Sequence, residues 1–143
     1  MTNVAQVLQD KIEQTTFTIS PEATVLEAIS LMANKGIGAV VVTDQDKVVG
    51  ILSERDYTRK VMLMERTSKE TAVQEIMTAK VLTVTKSTSV ETCLDLMTDR
   101  HLRHLPVVEN DKLIGLISIG DLVKAVMDDQ RKLIDQLQQY IAS

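Results

Sequence analysis

The sequence has very few cysteine, proline or aromatic residues, and each shortage excludes a class of protein. Its 143 residues include one Cys, two Pro, one Phe, two Tyr and no Trp. With Cys93 alone the chain cannot form an internal disulfide, so we expect a reducing cytoplasmic location. Cys93 lies on the apolar face of a predicted helix, and we interpret it as a small buried hydrophobic residue rather than a nucleophile.

The chain also lacks long apolar runs and an excess of positive charge. We find no apolar stretch of about 20 residues and no signal-peptide pattern, so we predict neither a membrane span nor secretion. The net charge is −4, and Phe17, Tyr57 and Tyr140 are too few for an aromatic stacking platform. We therefore expect no nucleic-acid partner, and a nucleotide base would have to lie between aliphatic side chains.

What the sequence does contain is a duplication. Residues 50–56 (GILSERD) and 115–121 (GLISIGD) keep the Gly, the Ser and the Asp at the same spacing, 65 positions apart. A related string recurs as well, at 4–11 (VAQVLQDK) and 73–80 (VQEIMTAK). Such internal similarity predicts two copies of one structural unit. We expect a first unit at 1–66 that includes an N-terminal helix, a linker at 67–72, and a second unit at 73–143.

Hydrophobic periodicity and turn residues predict the order β-α-β-β-α in each copy. In the first copy we expect strands at 17–19, 37–43 and 47–52, a helix capped by Thr24 and ended by Gly36, and a helix from Ser53. In the second copy we expect strands at 82–84, 105–108 and 113–117, a helix at 89–100, and a long helix from Ser118. The fold class is therefore α+β, with two sheets packed about a pseudo-twofold axis.

The two Ser-x-x-Asp junctions, where a strand runs into a helix start, admit two interpretations. Ser53 with Asp56, and Ser118 with Asp121, match the capping box, in which hydroxyl and carboxylate accept hydrogen bonds from N–H groups at the helix start. Alternatively, the helix start binds an anion while the Asp accepts hydrogen bonds from sugar hydroxyls. Two junctions in register leave both interpretations open.

Taken together, these features resemble a CBS-domain pair. The resemblance rests on the duplicated unit, the two junctions, residues 75–78 (EIMT) and residues 103–108 (RHLPVV). The string at 53–61 (SERDYTRKV) is similar to small stand-alone bacterial proteins that consist of one such pair. The resemblance implies a protein that is not an enzyme. It implies binding of an adenosine-containing ligand, such as AMP, ADP, ATP, NAD(H) or S-adenosylmethionine, in clefts between the units.

Matched by position, the resemblance assigns the ribose hydroxyls to Asp56 and Asp121. Ser53 and Ser118 would lie beside the ribose and the phosphate. The candidate phosphate contacts are Arg55, Arg59, Arg103 and His104. The other residues expected at the ligand, where the base lies between strands, are Ile37, Gly38, Ala39, Leu105, Pro106 and Ile119.

The two copies differ where the second carries its basic pair. Opposite residues 103–106 (RHLP) the first copy has 38–41 (GAVV), so it lacks the Arg, the His and the Pro. Arg55 and Arg59 are four positions apart on one helix face and could serve the first cleft or reach across to the second. We interpret the copies as complementary halves that share the phosphate charge.

Metal and catalytic sites are not expected. Cys93, His101 and His104 would be the minimum set of zinc ligands, but helical spacing turns Cys93 away from the two histidines. A nucleophilic Ser53 or Ser118 would need a positioned base, and both histidines lie beside the second copy.

Two function classes stay open. In the first, the protein is a regulatory sensor of AMP, ATP or NAD(H) that signals to a downstream protein the sequence does not identify. In the second, it is a ligand-independent dimerisation or assembly module, and the junctions only cap helices. We expect a homodimer in either case, because an apolar stripe on the last helix would otherwise stay exposed. The stripe consists of Val126, Leu133, Ile134, Leu137 and Ile141.

Overall fold

The computed structural model describes residues 2–11 and 15–142, which form six α-helices and two sheets. The helices are α1 (Val4–Asp10), α2 (Val25–Lys35), α3 (Glu54–Tyr57), α4 (Val73–Ile76), α5 (Val90–Arg100) and α6 (Ile119–Ala142). The strands are β1 (Thr18–Ile19), β2 (Ala39–Asp44), β3 (Lys47–Ser53), β4 (His104–Glu109) and β5 (Lys112–Ser118). The sheets have the orders β1-β2-β3 and β4-β5. The predicted α+β fold class, with its long C-terminal helix, is confirmed.

Both antiparallel hairpins turn through two residues with positive φ. The φ angles are 51° and 68° at Gln45 and Asp46, and 52° and 63° at Asn110 and Asp111. Two successive left-handed residues form a turn whose twist matches that of the flanking strands. Asp and Asn tolerate this region because their short polar side chains can hydrogen-bond locally. The turns predicted between the paired strands, at 44–46 and 109–111, are confirmed.

Helix α2 begins at the predicted cap Thr24, and α5 begins after Ser89, the residue at which its helix was predicted to start. The Thr24 hydroxyl accepts a hydrogen bond from the Glu27 N–H at 3.2 Å, and the Ser89 hydroxyl accepts one from the Thr92 N–H at 3.1 Å. Each bond satisfies a donor that the first helical turn leaves unpaired. Helix α2 ends at Gly36, whose φ of 63° is a left-handed conformation that glycine adopts without strain.

The strand predicted at 82–84 forms only a single bridge. Val84 pairs in parallel with Val107, through its N–H to the Pro106 carbonyl and its carbonyl to the Val108 N–H, each at 3.0 Å. In the first copy the corresponding strand β1 makes two parallel pairs with β2. Pro106 has no N–H to donate to Leu82, so the second pair cannot form. Other boundaries differ from the expected ones as well. For example, β2 begins at Ala39 rather than at 37, and the helix from Ser53 continues after α3 as a π-helical turn at Thr58–Met62.

The chain divides into two compact units that cross the expected boundaries. The repeat-1 unit contains Thr16–Leu82 and the hairpin tip Glu109–Ile114. The repeat-2 unit contains Thr83–Val108, the chain from Gly115 onward and the described residues before Thr16. Helix α1 therefore belongs with the second repeat, where the Val4 N–H donates to the Thr88 carbonyl at 2.9 Å. Helix α4 belongs with the first repeat.

Two glycines let these helices pack directly on the strands. A Cβ atom built on Gly115 of β5 would lie 2.6 Å from Cδ2 of Leu8 in α1. A Cβ atom on Gly50 of β3 would collide with the side chain of Met77, the residue that follows α4. Each glycine therefore allows a close approach that any side chain would obstruct. The repeated glycines and repeated short helices form equivalent contacts in the two units.

The expected linker at 67–72 is anchored within the repeat-1 unit. Thr71 is buried, and its hydroxyl donates to the Thr67 carbonyl at 2.7 Å. The Ala72 N–H donates to the Glu75 carboxylate at 2.6 Å, and Arg66 pairs with the same carboxylate. The Ala72 hydrogen bond, and then Arg66, hold the pKa of Glu75 below its ordinary value. Negative charge at Glu75 therefore favours this conformation.

Candidate functional site

The first Ser-x-x-Asp junction is a capping box between β3 and α3. Asp56 Oδ2 accepts hydrogen bonds from the Ser53 N–H at 3.0 Å and the Ser53 hydroxyl at 3.1 Å, while the Asp56 N–H donates to the Ser53 hydroxyl at 3.2 Å. The ammonium of Lys60 lies 3.5 Å from the other oxygen, Asp56 Oδ1. It also donates to the Ile76 carbonyl at 3.0 Å. Both carboxylate oxygens of Asp56 therefore have a partner.

The second junction, between β5 and α6, has the same cap but a different arrangement of charge. Asp121 Oδ2 accepts from the Ser118 N–H at 2.9 Å, and the Asp121 N–H donates to the Ser118 hydroxyl at 3.2 Å. The ammonium of Lys11, which caps the C-terminus of α1, lies 3.1 Å from the same Oδ2 and donates to the Leu116 carbonyl at 2.7 Å. Both contacts with Asp121 end on Oδ2, so Oδ1 takes part in neither. The capping interpretation is correct at both junctions, and it leaves the sugar-binding interpretation open.

A cavity of about 290 Å³ lies beside the second junction. Asp121 lines it together with residues of α1 and α6, namely Val7, Asp10, Lys11, Lys124, Ala125 and Asp128. Lys11 and Lys60 were not among the residues expected from the sequence. The spacing of Lys60, four residues after Asp56 on one helix, could have indicated the first ion pair. The repeated string that ends in Lys11 and Lys80 was the only signal for the second.

Backbone hydrogen bonds place one more candidate residue at each junction. The Ile119 N–H, at the start of α6, donates to the Arg103 carbonyl at 2.9 Å. At the first junction the equivalent bond runs from the Glu54 N–H to the Gly38 carbonyl at 3.1 Å. The second junction therefore has the backbone of a basic residue beside it, whereas the first has glycine.

The remaining candidate residues differ in exposure. Ala39, Leu105 and Pro106 are buried, Ile37 and His104 are half-buried, and Ile119 is 42% exposed. Arg55 and Arg59 are exposed residues of α3 and the π-helical turn that follows it. Ala39 pairs directly with Ser53 across β2 and β3, and Ile119 follows Ser118 in the chain. Whether Arg55 and Arg59 share a phosphate with Arg103 stays a prediction.

The structure supports the interpretation of Cys93 as a buried hydrophobic residue. Cys93 is 0% exposed on α5, and burial raises the pKa of its thiol, which disfavours the reactive thiolate. Within 2–11 and 15–142, no group of three His, Cys, Asp or Glu residues is arranged to hold a metal ion. None of the helices in those ranges is long and apolar enough to cross a membrane.

Comparison with known proteins establishes the family. The profile of the CBS domain matches residues 5–63 and 73–128, and the chain belongs to the CBS-domain family. It is 42% identical over 123 residues to the Arabidopsis thaliana CBS domain-containing protein CBSX3, which is described as mitochondrial. The match covers 82% of this chain but only 60% of that relative. The suspected CBS-domain pair is confirmed.

Solved structures confirm the fold. A CBS-domain protein from Burkholderia ambifaria superposes with a TM-score of 0.86 at 56% identity, covering 90% of this chain and 96% of that one. The CBS domain pair of protein MJ0100, solved in complex with 5′-methylthioadenosine and S-adenosyl-L-methionine, has a TM-score of 0.79 at 21% identity. That match covers 90% of this chain and 98% of the other.

Proposed function

We propose that the protein is a regulatory module, not an enzyme, that binds an adenine nucleotide of the AMP, ATP or NAD(H) type. Occupancy would be passed to a downstream protein in the cytoplasm. The observation that carries the proposal is the Asp121 carboxylate, which is fixed at a helix start while its Oδ1 takes part in neither the cap nor the lysine contact. A carboxylate oriented in this way can accept hydrogen bonds from ribose hydroxyls.

The proposed roles follow the two junctions. The candidates for accepting hydrogen bonds from ribose hydroxyls are Asp121 and Asp56, with Ser118 and Ser53 beside the sugar and the phosphate. Phosphate oxygens bind the cations Arg103, His104, Arg55 and Arg59. The base lies among the aliphatic groups of Ile37, Gly38, Ala39, Leu105, Pro106 and Ile119. No metal is required by this arrangement.

Two further observations support an adenosine-type ligand. The chain carries a net charge of −4, yet Arg103 is held by its backbone at the start of α6. A cation at a helix N-terminus favours an anionic ligand there. Both ligands of the MJ0100 pair contain adenosine. The fold that the two proteins share makes the same ligand class the first to test.

A thermal-shift screen tests the proposal. We expect AMP, ATP or NADH at millimolar concentration to raise the melting temperature, because a ligand at 100 times its Kd stabilises the native state by about 2.7 kcal/mol. GMP is the matched control, since it keeps the ribose and phosphate and changes only the base. If none of the three adenine nucleotides shifts the transition, the sensor function is wrong.

The exposed stripe on α6 favours a second candidate function, homodimeric assembly. Its members Leu133, Ile134 and Leu137 are 56%, 52% and 52% exposed, and Ile141 is 80% exposed. Ile134 and Ile141 are seven positions apart with Leu137 between them, which is the spacing of a helix-to-helix seam. We infer that a second copy covers this face, since soluble proteins rarely leave such patches exposed.

Sedimentation of the purified protein at micromolar concentration tests the dimer. We expect a species of about twice the 15.9 kDa chain mass, and Leu137→Asp should shift it to the monomer because a buried unpaired charge would oppose association. The control is Gln138→Asp, a charge at the adjacent position outside the stripe. A wild-type protein that sediments only as a 15.9 kDa species would contradict the proposal.

A further inference from the structure

We propose that the two junctions are not equivalent: Asp121 is the nucleotide site, and Lys60 occupies the carboxylate of Asp56 in place of a ribose. Each chain would then bind one nucleotide rather than two. This inference rests on the proposed nucleotide-binding function and specifies which of the two carboxylates performs it.

The carboxylate oxygens of the two Asp residues have different partners. At Asp56 the cap bonds end on Oδ2 and the Lys60 ammonium lies 3.5 Å from Oδ1, so each oxygen has a partner. At Asp121 the cap bond and the Lys11 ammonium both lie on Oδ2. A ribose hydroxyl can approach Asp121 Oδ1 without displacing either contact. At Asp56 it would have to compete with an ammonium group.

A second contact holds the Lys60 side chain beside Asp56. Its ammonium also donates to the Ile76 carbonyl at 3.0 Å, so two oxygens from different parts of the repeat-1 unit fix its position. Position 125 is the repeat equivalent of position 60, and it carries alanine. The second junction therefore has no lysine four positions after its Asp, although Lys124 of α6 lines the same cavity. The lysine that contacts Asp121 comes from the end of α1 and approaches the opposite oxygen.

The charges that a phosphate would meet also differ between the two junctions. The first turn of α3 carries a second acid, Glu54, where α6 has Ile119. The backbone N–H at the helix start donates to the Gly38 carbonyl at the first junction and to the Arg103 carbonyl at the second. An anion beside Asp56 would thus meet the additional negative charge of Glu54. Beside Asp121 the two further acids of the cavity lining are matched by two lysines, and a basic residue, Arg103, lies at the helix start. Arg55 and Arg59 do not favour either junction. They are proposed to contact a phosphate in the first cleft or to reach across to the second.

Calorimetric titration with AMP tests this inference through its stoichiometry. We expect about one AMP per chain for the wild type and about two for Lys60→Met, because removing the ammonium exposes Asp56 Oδ1 to a ribose. Lys60→Arg keeps the positive charge and should stay at one. Lys69→Met, an exposed lysine in the same unit, is the matched control and should also stay at one. Adding Asp56→Asn to Lys60→Met should return the count to one.

The outcomes separate the inference from the function on which it rests. Two equal sites in the wild type, or one site in a folded Lys60→Met, would overturn the role of Lys60 while leaving nucleotide binding intact. If Lys60→Met does not fold, Lys60→Gln provides the same neutral test with a polar side chain. Failure of the wild type to bind AMP, ATP and NADH alike would overturn the proposed function and this inference together.

Discussion

Replacing Asp121 with Asn should weaken AMP binding by about tenfold to a hundredfold with little change in stability. A hydrogen bond to a charged acceptor contributes about 1.5–3 kcal/mol, and each 1.4 kcal/mol is about a tenfold change in affinity. The amide oxygen of Asn can still accept the Ser118 N–H, so the helix cap persists. The ion pair with Lys11 is lost, but at about a quarter exposure it contributes at most about 1 kcal/mol.

Calorimetric titration of AMP into both proteins measures this effect. Asp129→Asn is a suitable control because Asp129 lies on the same helix and also contacts the N-terminal segment, accepting from the Thr2 hydroxyl at 2.7 Å. We expect Asp129→Asn to bind AMP as the wild type does. If Asp121→Asn also binds as tightly as the wild type, then Asp121 caps α6 and has no role in binding the sugar.

Truncating the core residue Leu52 to Ala should destabilise the protein by about 2–5 kcal/mol, as should the equivalent change at Ile117. Both side chains are 0% exposed, and they occupy the same position of the two repeats. Leu52 packs in a buried cluster that includes Val73 and Ile76 of α4. The cavity left by its truncation would therefore weaken the attachment of α4 as well as the sheet.

Urea unfolding monitored by circular dichroism gives the free energies for both variants. Leu63→Ala, at a position that is 71% exposed, serves as the control and should change the free energy of unfolding by less than about 0.5 kcal/mol. A loss below about 1 kcal/mol at both Leu52 and Ile117 would contradict the assignment of these residues to the core.

The features that could be predicted from the sequence are those governed by neighbouring residues. Local hydrogen bonds and allowed φ angles explain the helix caps at Thr24, Ser53 and Ser118. They also explain the end of α2 at Gly36 and both hairpin turns. The shortened strand at Val84 also has a local cause, the missing N–H of Pro106, but its effect appears only once the partner strand is known.

The features that could not be predicted depend on contacts between distant segments. Sequence order placed α1 with the first repeat, whereas its Leu8 packs against Gly115 of the second. The same contact brings Lys11 to Asp121 across a separation that periodicity cannot detect. The two carboxylates differ in which oxygen the lysine ammonium contacts, and the spacing of residues in the sequence does not determine this.

The most direct test of the nucleotide site is a crystal structure of the protein grown with AMP. We expect AMP at the second junction, with a ribose hydroxyl within about 2.5–3.0 Å of Asp121 Oδ1 and Lys60 still beside Asp56. Bound AMP whose ribose contacts neither Asp121 nor Ser118 would show that the nucleotide does not bind in the proposed way.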